Sequence, residues 1–212
     1  GGAVLDRINY TDGNSLDYSS STAGILLDAA SGQVIDGLGG TDQISNFNFF
    51  TGSSFSDRLL GSTEQMFEMF DGGAGDDTID GGAITDTLNL TNANRANFQN
   101  AGASVTASLL SGTAVGAQSG RDTLININQL RGSNFDDHLE GSDRTDVTET
   151  FDGRGGNDRI DGRGGFDEVR YDFGSVGVTV NLAQGTATDA SGGVDNLTGI
   201  EGVRGSNSAD VL

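Results

Sequence analysis

Eleven times in 212 residues an aspartate stands two positions before a branched aliphatic residue, after a short stretch rich in glycine or serine. The fullest copy, Gly72-Gly73-Ala74-Gly75-Asp76-Asp77-Thr78-Ile79-Asp80, fills every defined slot of the nine-residue pattern G-G-x-G-x-D-x-U-x, where U is a large aliphatic residue. The next copy starts at Gly81-Gly82-Ala83 and sets Asp86 before Leu88. A second tandem pair, from Gly153 and from Gly162, supplies Asp158 with Ile160 and Asp167 with Val169. Single copies carry Asp6/Ile8, Asp42/Ile44, Asp57/Leu59, Asp122/Leu124, Asp137/Leu139, Asp195/Leu197 and Asp210/Leu212.

The spacing has a physical reading. Six residues with leading glycines make a tight turn that takes positive φ and aims carbonyl oxygens inward, and the aspartate adds carboxylate oxygens to that ring. Hard oxygen ligands select a hard cation. The last three residues form a short strand whose single aliphatic side chain points inward while its neighbours point out. Turn, strand, turn, strand gives a coil of about eighteen residues, and stacked coils give a parallel β-roll. Ile25-Leu26-Leu27, Val105-Thr106-Ala107 and Val178-Thr179-Val180 read as further strands, so the expectation is an all-β solenoid with no substantial helix. Thr63–Phe70 and Asp143–Phe151, at equivalent places in two repeats, could form a single helical turn or a protruding loop.

On these motifs the chain resembles the RTX, or haemolysin-type calcium-binding, repeat family over nearly its whole length. The resemblance implies calcium between stacked turns. The implied ligands are turn carbonyls at Gly37 and Gly39, Gly72 and Ala74, Gly81 and Ala83, Gly153 and Gly155, and Gly162 and Gly164. With them come the carboxylates of Asp6, Asp42, Asp57, Asp77, Asp86, Asp122, Asp137, Asp158, Asp167, Asp195 and Asp210. The copies at 52, 132 and 205 depart from the pattern, reading Gly-Ser-Ser-Phe, Gly-Ser-Asn-Phe and Gly-Ser-Asn-Ser, and are expected to bind calcium weakly or not at all.

A longer repeat is superposed. Residues 24–52 align without gaps on 104–132 and 177–205, giving three long repeats of one continuous β-roll, about 1–80, 81–163 and 164–212, the last cut short. Copies start at 1, 37, 52, 72, 81, 117, 132, 153, 162, 190 and 205. An interval of 36 residues equals two coils, which predicts four coils per long repeat. Steps near 20 return to the same side of the roll, so the Asp57 and Asp77 turns should stack, as should those of Asp137 and Asp158. The same arithmetic sets Asp86 and Asp122 on one side. Either the sequence is an excerpt of a longer array, or copies meet end to end.

Composition narrows function. The chain has 31 acidic residues against 11 arginines and no lysine, a net charge of −20. So acidic a surface repels nucleic-acid phosphates and anionic lipids and suits a multivalent cation. No apolar run approaches the roughly 18 residues of a membrane span. There is no cysteine, hence no disulfide or thiolate metal site. A lone His138, no G-x-S-x-G elbow and no lysine nucleophile leave catalysis without support. The expectation is a non-enzymatic, calcium-binding structural segment of a secreted or cell-surface bacterial protein, of adhesin, surface-layer or filament type. It would fold on calcium outside the cell and associate end to end, laterally or with other surface proteins. The alternative is a secretion and folding module attached to a hydrolase or epimerase. The resemblance also implies type I secretion.

Overall fold

The computed structural model describes residues 13–64, 66–84, 92–189 and 191–212. Asp6, Ile8, Asp86 and Leu88 lie outside the described residues. Among those described there are twenty-one strands and no helix, in sheets that are mostly parallel, which is the all-β, β-roll type of architecture the nonapeptides predict. The strands are short because each nonapeptide supplies only three or four extended residues before its next glycine.

Two compact units emerge, the first reaching Asn97 and adding Gln118–Ile127, the second formed by Phe98–Ala117 and Asn128–Leu212. Each draws on more than one long repeat.

The first unit holds β1 (Ser15–Asp17), β2 (Leu26–Asp28), β3 (Gln33–Ile35), β4 (Thr41–Gln43), β5 (Phe49–Thr51), β6 (Arg58–Leu60), β7 (Glu68–Asp71), β8 (Thr78–Asp80), β9 (Asn94–Asn97) and β12 (Gly120–Ile125). β1, β5, β7 and β9 pair in parallel, aligning Leu16, Phe50, Phe70 and Ala96 in one file. The Phe50 and Phe70 rings stack with centroids 5.4 Å apart. A second parallel run, β12, β8, β6 and β2, aligns Leu124, Ile79, Leu59 and Leu27. Both files are buried apart from a half-buried Leu16, so the aliphatic position of the nonapeptide is the core position.

The second unit holds β10 (Val105–Ser108), β11 (Thr113–Gly116), β13 (Gln129–Arg131), β14 (His138–Glu140), β15 (Thr148–Asp152), β16 (Arg159–Asp161), β17 (Phe166–Arg170), β18 (Thr179–Asn181), β19 (Thr186–Thr188), β20 (Val194–Thr198) and β21 (Gly202–Arg204). β13, β15, β17 and β21 run parallel, aligning Leu130, Phe151, Val169 and Val203. β10, β14, β16 and β20 do likewise with Ala107, Leu139, Ile160 and Leu197.

The departure from a pure coil lies in the 36-residue intervals. They do not make two parallel coils. Residues 26–43 fold as an antiparallel meander, β2 to β3 to β4, and β18, β19 and β20 repeat it. The reason is local: the tight turns Asp28-Ala29-Ala30-Ser31-Gly32 and Asn181-Leu182-Ala183-Gln184-Gly185, each closing on a glycine at positive φ, send the chain straight back on itself before a nonapeptide turn can form. Ile44 is accordingly only half-buried, and the aliphatic position of that copy does not join the core. The segments at 63–70 and 143–151 contain no helical turn among their described residues; they are wide turns that feed β7 and β15. Phe50 is core, Phe49 and Phe47 are half-buried, and Phe55 is exposed.

Candidate functional site

Asp57, Asp77, Asp137 and Asp158 stand immediately before an inner strand and Asp122, Asp167 and Asp195 within the first three residues of one, so stacking strands stacks carboxylates. In the first unit Ile25 N–H donates to Asp57 Oδ1 at 2.7 Å, Asp57 N–H to Asp77 Oδ1 at 2.8 Å, and Asp77 N–H to Asp122 Oδ1 at 3.1 Å. The second unit repeats the ladder: Val105 N–H to Asp137 at 2.7 Å, Asp137 N–H to Asp158 at 2.8 Å, Asp158 N–H to Asp195 at 3.0 Å. Val178 N–H donates to Asp210 in the same way. The Asp57 and Asp77 turns therefore stack, as do those of Asp137 and Asp158. Asp122 lies on the Asp77 side, 45 residues on, because the meander returns the chain to the strand beside β8.

With Oδ1 facing the neighbouring rung, Oδ2 turns back under its own loop. A Cβ built on Gly72, Gly132 or Gly153 would overlap the carboxylate of Asp77, Asp137 or Asp158, which is why the first position is glycine. Positive φ is needed elsewhere, at the second and fourth positions: Gly73 (89°) and Gly75 (121°), Arg154 (72°) and Gly156 (119°), Arg163 (67°) and Gly165 (124°).

The turns fall into two classes. In the Gly-Ser copies no residue of 52–57, 132–137 or 205–210 has positive φ. Instead Ser53 donates both its N–H and its Oγ to Asp57, Ser133 does the same to Asp137, and Ser206 Oγ donates to Asp210 at 2.7 Å. Those carboxylates are satisfied from within. In the positive-φ copies nothing replaces the serine: Asp77 Oδ2, Asp158 Oδ2 and both oxygens of Asp167 are buried with no hydrogen-bond partner among the described residues. Burial, reinforced by Asp122 and Asp57, pushes Asp77 up to about 8; burial with Asp195 and Asp137 does the same for Asp158, and burial with Glu149 and Glu201 for Asp167. Burial likewise lifts Asp122 to about 7 and Asp195 to about 6. Asp210 moves the other way, held down by the Ser206 hydroxyl and the Val178 N–H.

Asp167 belongs to a row of turns that sequence reading only partly located. Its N–H donates to Glu201 Oε2 at 3.0 Å. Glu149 in that row takes the N–H and Oγ of Ser142, and in the first unit Glu68 takes the Ser62 N–H. Glu68 and Glu149 are buried glutamates doing in longer loops what Asp57 and Asp137 do in Gly-Ser turns. The signal was present as Gly61-Ser62 and Gly141-Ser142, but the acid falls outside the sixth position. Gly162 and Gly164 lie in the Asp167 turn; Gly81 is buried against Asn94, and Ala83 is exposed.

The remaining sites differ. Gly37, Gly39 and Asp42 sit exposed between and on β3 and β4, where Asp36 Oδ1 caps the turn through the N–H groups of Leu38 and Gly40. Asp42 accepts the Tyr18 hydroxyl at 2.6 Å, and Asp195 accepts Tyr171 at 2.8 Å, 24 residues apart in both cases. The ninth-position aspartates Asp80 and Asp161, and their counterparts Asp71 and Asp152, each accept an N–H from two residues further on, closing Asx-type turns. His138 is half-buried on β14.

Among the described residues no three histidine or acidic side chains gather as a metal-binding group. A cation here would rest on one or two carboxylates and on turn carbonyls, the donor set of a calcium site and not of a transition metal. No family model matches the chain, and no curated protein matches it.

Proposed function

We propose that this chain is a calcium-binding structural β-roll of a secreted or cell-surface protein, in which cation binding completes folding. The observation that supports it is the set of buried, partnerless carboxylate oxygens on Asp77, Asp158 and Asp167, each beneath a turn with two positive-φ residues. A buried anion without a partner is costly, and a site made only of hard oxygens is a site for a hard cation.

The residues that would hold the ion are Asp77 with the Gly72 and Ala74 carbonyls, Asp158 with those of Gly153 and Gly155, and Asp167 with those of Gly162 and Gly164. Bound calcium would supply positive charge to carboxylates that the fold otherwise holds neutral. The chain's own contribution is to fix Oδ1 of Asp77 and Asp158 against the next rung and to exclude water from their Oδ2 atoms and from both oxygens of Asp167. Asp57, Asp137 and Asp210 are not cation ligands on this reading, because serine already fills their place. Sites of so few carboxylates suit the calcium level outside cells.

Calcium titrated into chelator-treated protein, followed by far-ultraviolet circular dichroism with magnesium as control, tests the reading. Gain of β-structure with calcium and not with magnesium is the expected outcome. A β-sheet spectrum already complete in chelator, with no calcium-dependent change in melting, would overturn it.

A further inference from the structure

Beside the ladder, the second unit contains a cleft of about 300 Å³, at the small end of the range for ligand sites. Its walls are Phe173, Asn134, Asp152, Arg154, Asp189 and Ser191. Phe173 is half-exposed, with the Arg170 guanidinium 5.3 Å from its ring centroid, where the equivalent positions of the other long repeats carry Ser20 and Asn100. Beneath it the buried Arg131 guanidinium lies 3.9 Å from the ring centroid and pairs with Asp152 at 2.8 Å. Its Nη2 is buried without a partner among the described residues.

The charges nearly cancel: Asp152 and Asp189 against Arg154 and Arg131. An anion would meet two carboxylates in a chain of net charge −20. What fits is a ligand with one flat apolar side for Phe173 and a rim of groups that both give and accept hydrogen bonds. Carboxylates accept from such a rim, while the Asn134 amide and Arg154 donate to it; Ser191 gives its N–H and hydroxyl to Asp189 and so fixes that carboxylate in the wall.

We propose that this cleft binds a neutral saccharide of one or two rings, its C–H face on Phe173 and its hydroxyls between Asp152, Asp189, Asn134 and Arg154. The cleft borders the calcium reading at Gly155, whose carbonyl is assigned there, but the side chains proposed to hold the sugar are not cation ligands, and calcium binding is read separately by titration.

Saturation-transfer NMR on the folded chain in calcium buffer, with maltose, lactose, cellobiose and N,N′-diacetylchitobiose as probes and galacturonic acid as a charged control, tests it. At least one neutral sugar should saturate with a Kd in about the millimolar range or below, about 4 kcal/mol or more of binding. Phe173→Ala should weaken it about tenfold or more. Because Phe173 also covers Arg131, the exposed Asn134→Ala provides a second variant, which gives up a long surface contact from Arg154 Nε at 3.4 Å and leaves the core untouched, and it too should weaken binding. Absence of saturation by all four sugars, binding unchanged in both variants, or tighter binding of galacturonic acid would each overturn the proposal.

Discussion

Asp158→Asn should change the sign of its effect on stability with the buffer. Asparagine keeps an oxygen to accept the Asp137 N–H, made at 2.8 Å in the parent, and places an amide where the buried Oδ2 has no partner. In chelator near neutral pH the parent must hold an unpaired buried charge or take up a proton. An unsatisfied buried polar group costs about 1–3 kcal/mol, and more when charged. The amide is equally unpartnered but neutral, so the variant should gain about 1–2 kcal/mol, a rise in Tm on the order of 4 °C for a chain of this length. In calcium at about a hundredfold excess over Kd, the parent gains about 2.7 kcal/mol per site and the variant forfeits one site, so the order reverses. Asp137→Asn is the control. Its carboxylate already accepts from Val105 and twice from Ser133, so the amide sets donor against donor and should destabilise by about 1–3 kcal/mol in both buffers alike. Thermal melts of the three proteins with and without calcium decide it. Equal losses for Asp158→Asn in both buffers would refute the view that Oδ2 awaits a cation.

Other consequences follow from the same turns. Gly153→Ala drives a Cβ into the Asp158 carboxylate and should cost about 1–3 kcal/mol along with calcium affinity. Gly164→Ala, whose Cβ would find nothing nearer than the Asp143 Cα at 3.7 Å, should be close to neutral in melts and calcium titrations. Arg154 holds φ at 72°, where a non-glycine residue is strained by about 1–2 kcal/mol, so Arg154→Gly should raise chelator-state stability by about 0.5–1 kcal/mol in denaturant titration. Without calcium, Asp77, Asp158 and Asp167 hold protons up to about pH 8 when folded but release them near pH 4 when unfolded. The folded state then binds more protons across that window, so stability is greatest at its acid end, falls as pH rises, and levels off above about 8, by at most ~1.4 kcal/mol per pH unit per group. Urea titrations in chelator that show stability rising with pH from about 5 to 8 would contradict this.

The aspartate and its aliphatic partner were legible because their roles are local: two residues apart on a strand, one at the turn and one in the core, as Asp77 and Ile79 show. The stacking of Asp57 on Asp77 followed from interval alone. Three things did not. The meanders at 26–43 and 179–198 depend on whether a glycine turn reverses the strand or rounds the edge of the roll, and Gly32 or Gly185 looks in sequence like any other turn glycine. Positive φ was expected of the leading glycines together, whereas the first of them is constrained instead by a carboxylate that only the folded turn brings there. Glu68 and Glu149 were missed because a longer side chain in a longer loop breaks the nine-residue frame while keeping the same serine-to-carboxylate contact.

Each of the Asp77 and Asp158 turns lies against a turn of the other class. The Asp77 turn stacks on the Gly-Ser turn of Asp57, and the Asp158 turn on that of Asp137. A ladder of buried carboxylates that repel one another is more tolerable when the rung beside each open turn is neutralised by serine hydrogen bonds, leaving the open rung to a cation. The class of a turn should therefore be convertible. Ser133→Gly with Phe135→Gly rewrites residues 132–137 as the full glycine pattern, removes the hydroxyl that now donates to Asp137, and replaces an exposed phenylalanine at the fourth position with a residue free to take positive φ. The double variant should lose about 1–2 kcal/mol in chelator, from one hydroxyl hydrogen bond and the added glycine entropy. It should also bind one more calcium per chain by equilibrium dialysis. An unchanged stoichiometry with the fold intact would mean that serine at the second position does not decide which turns take the ion.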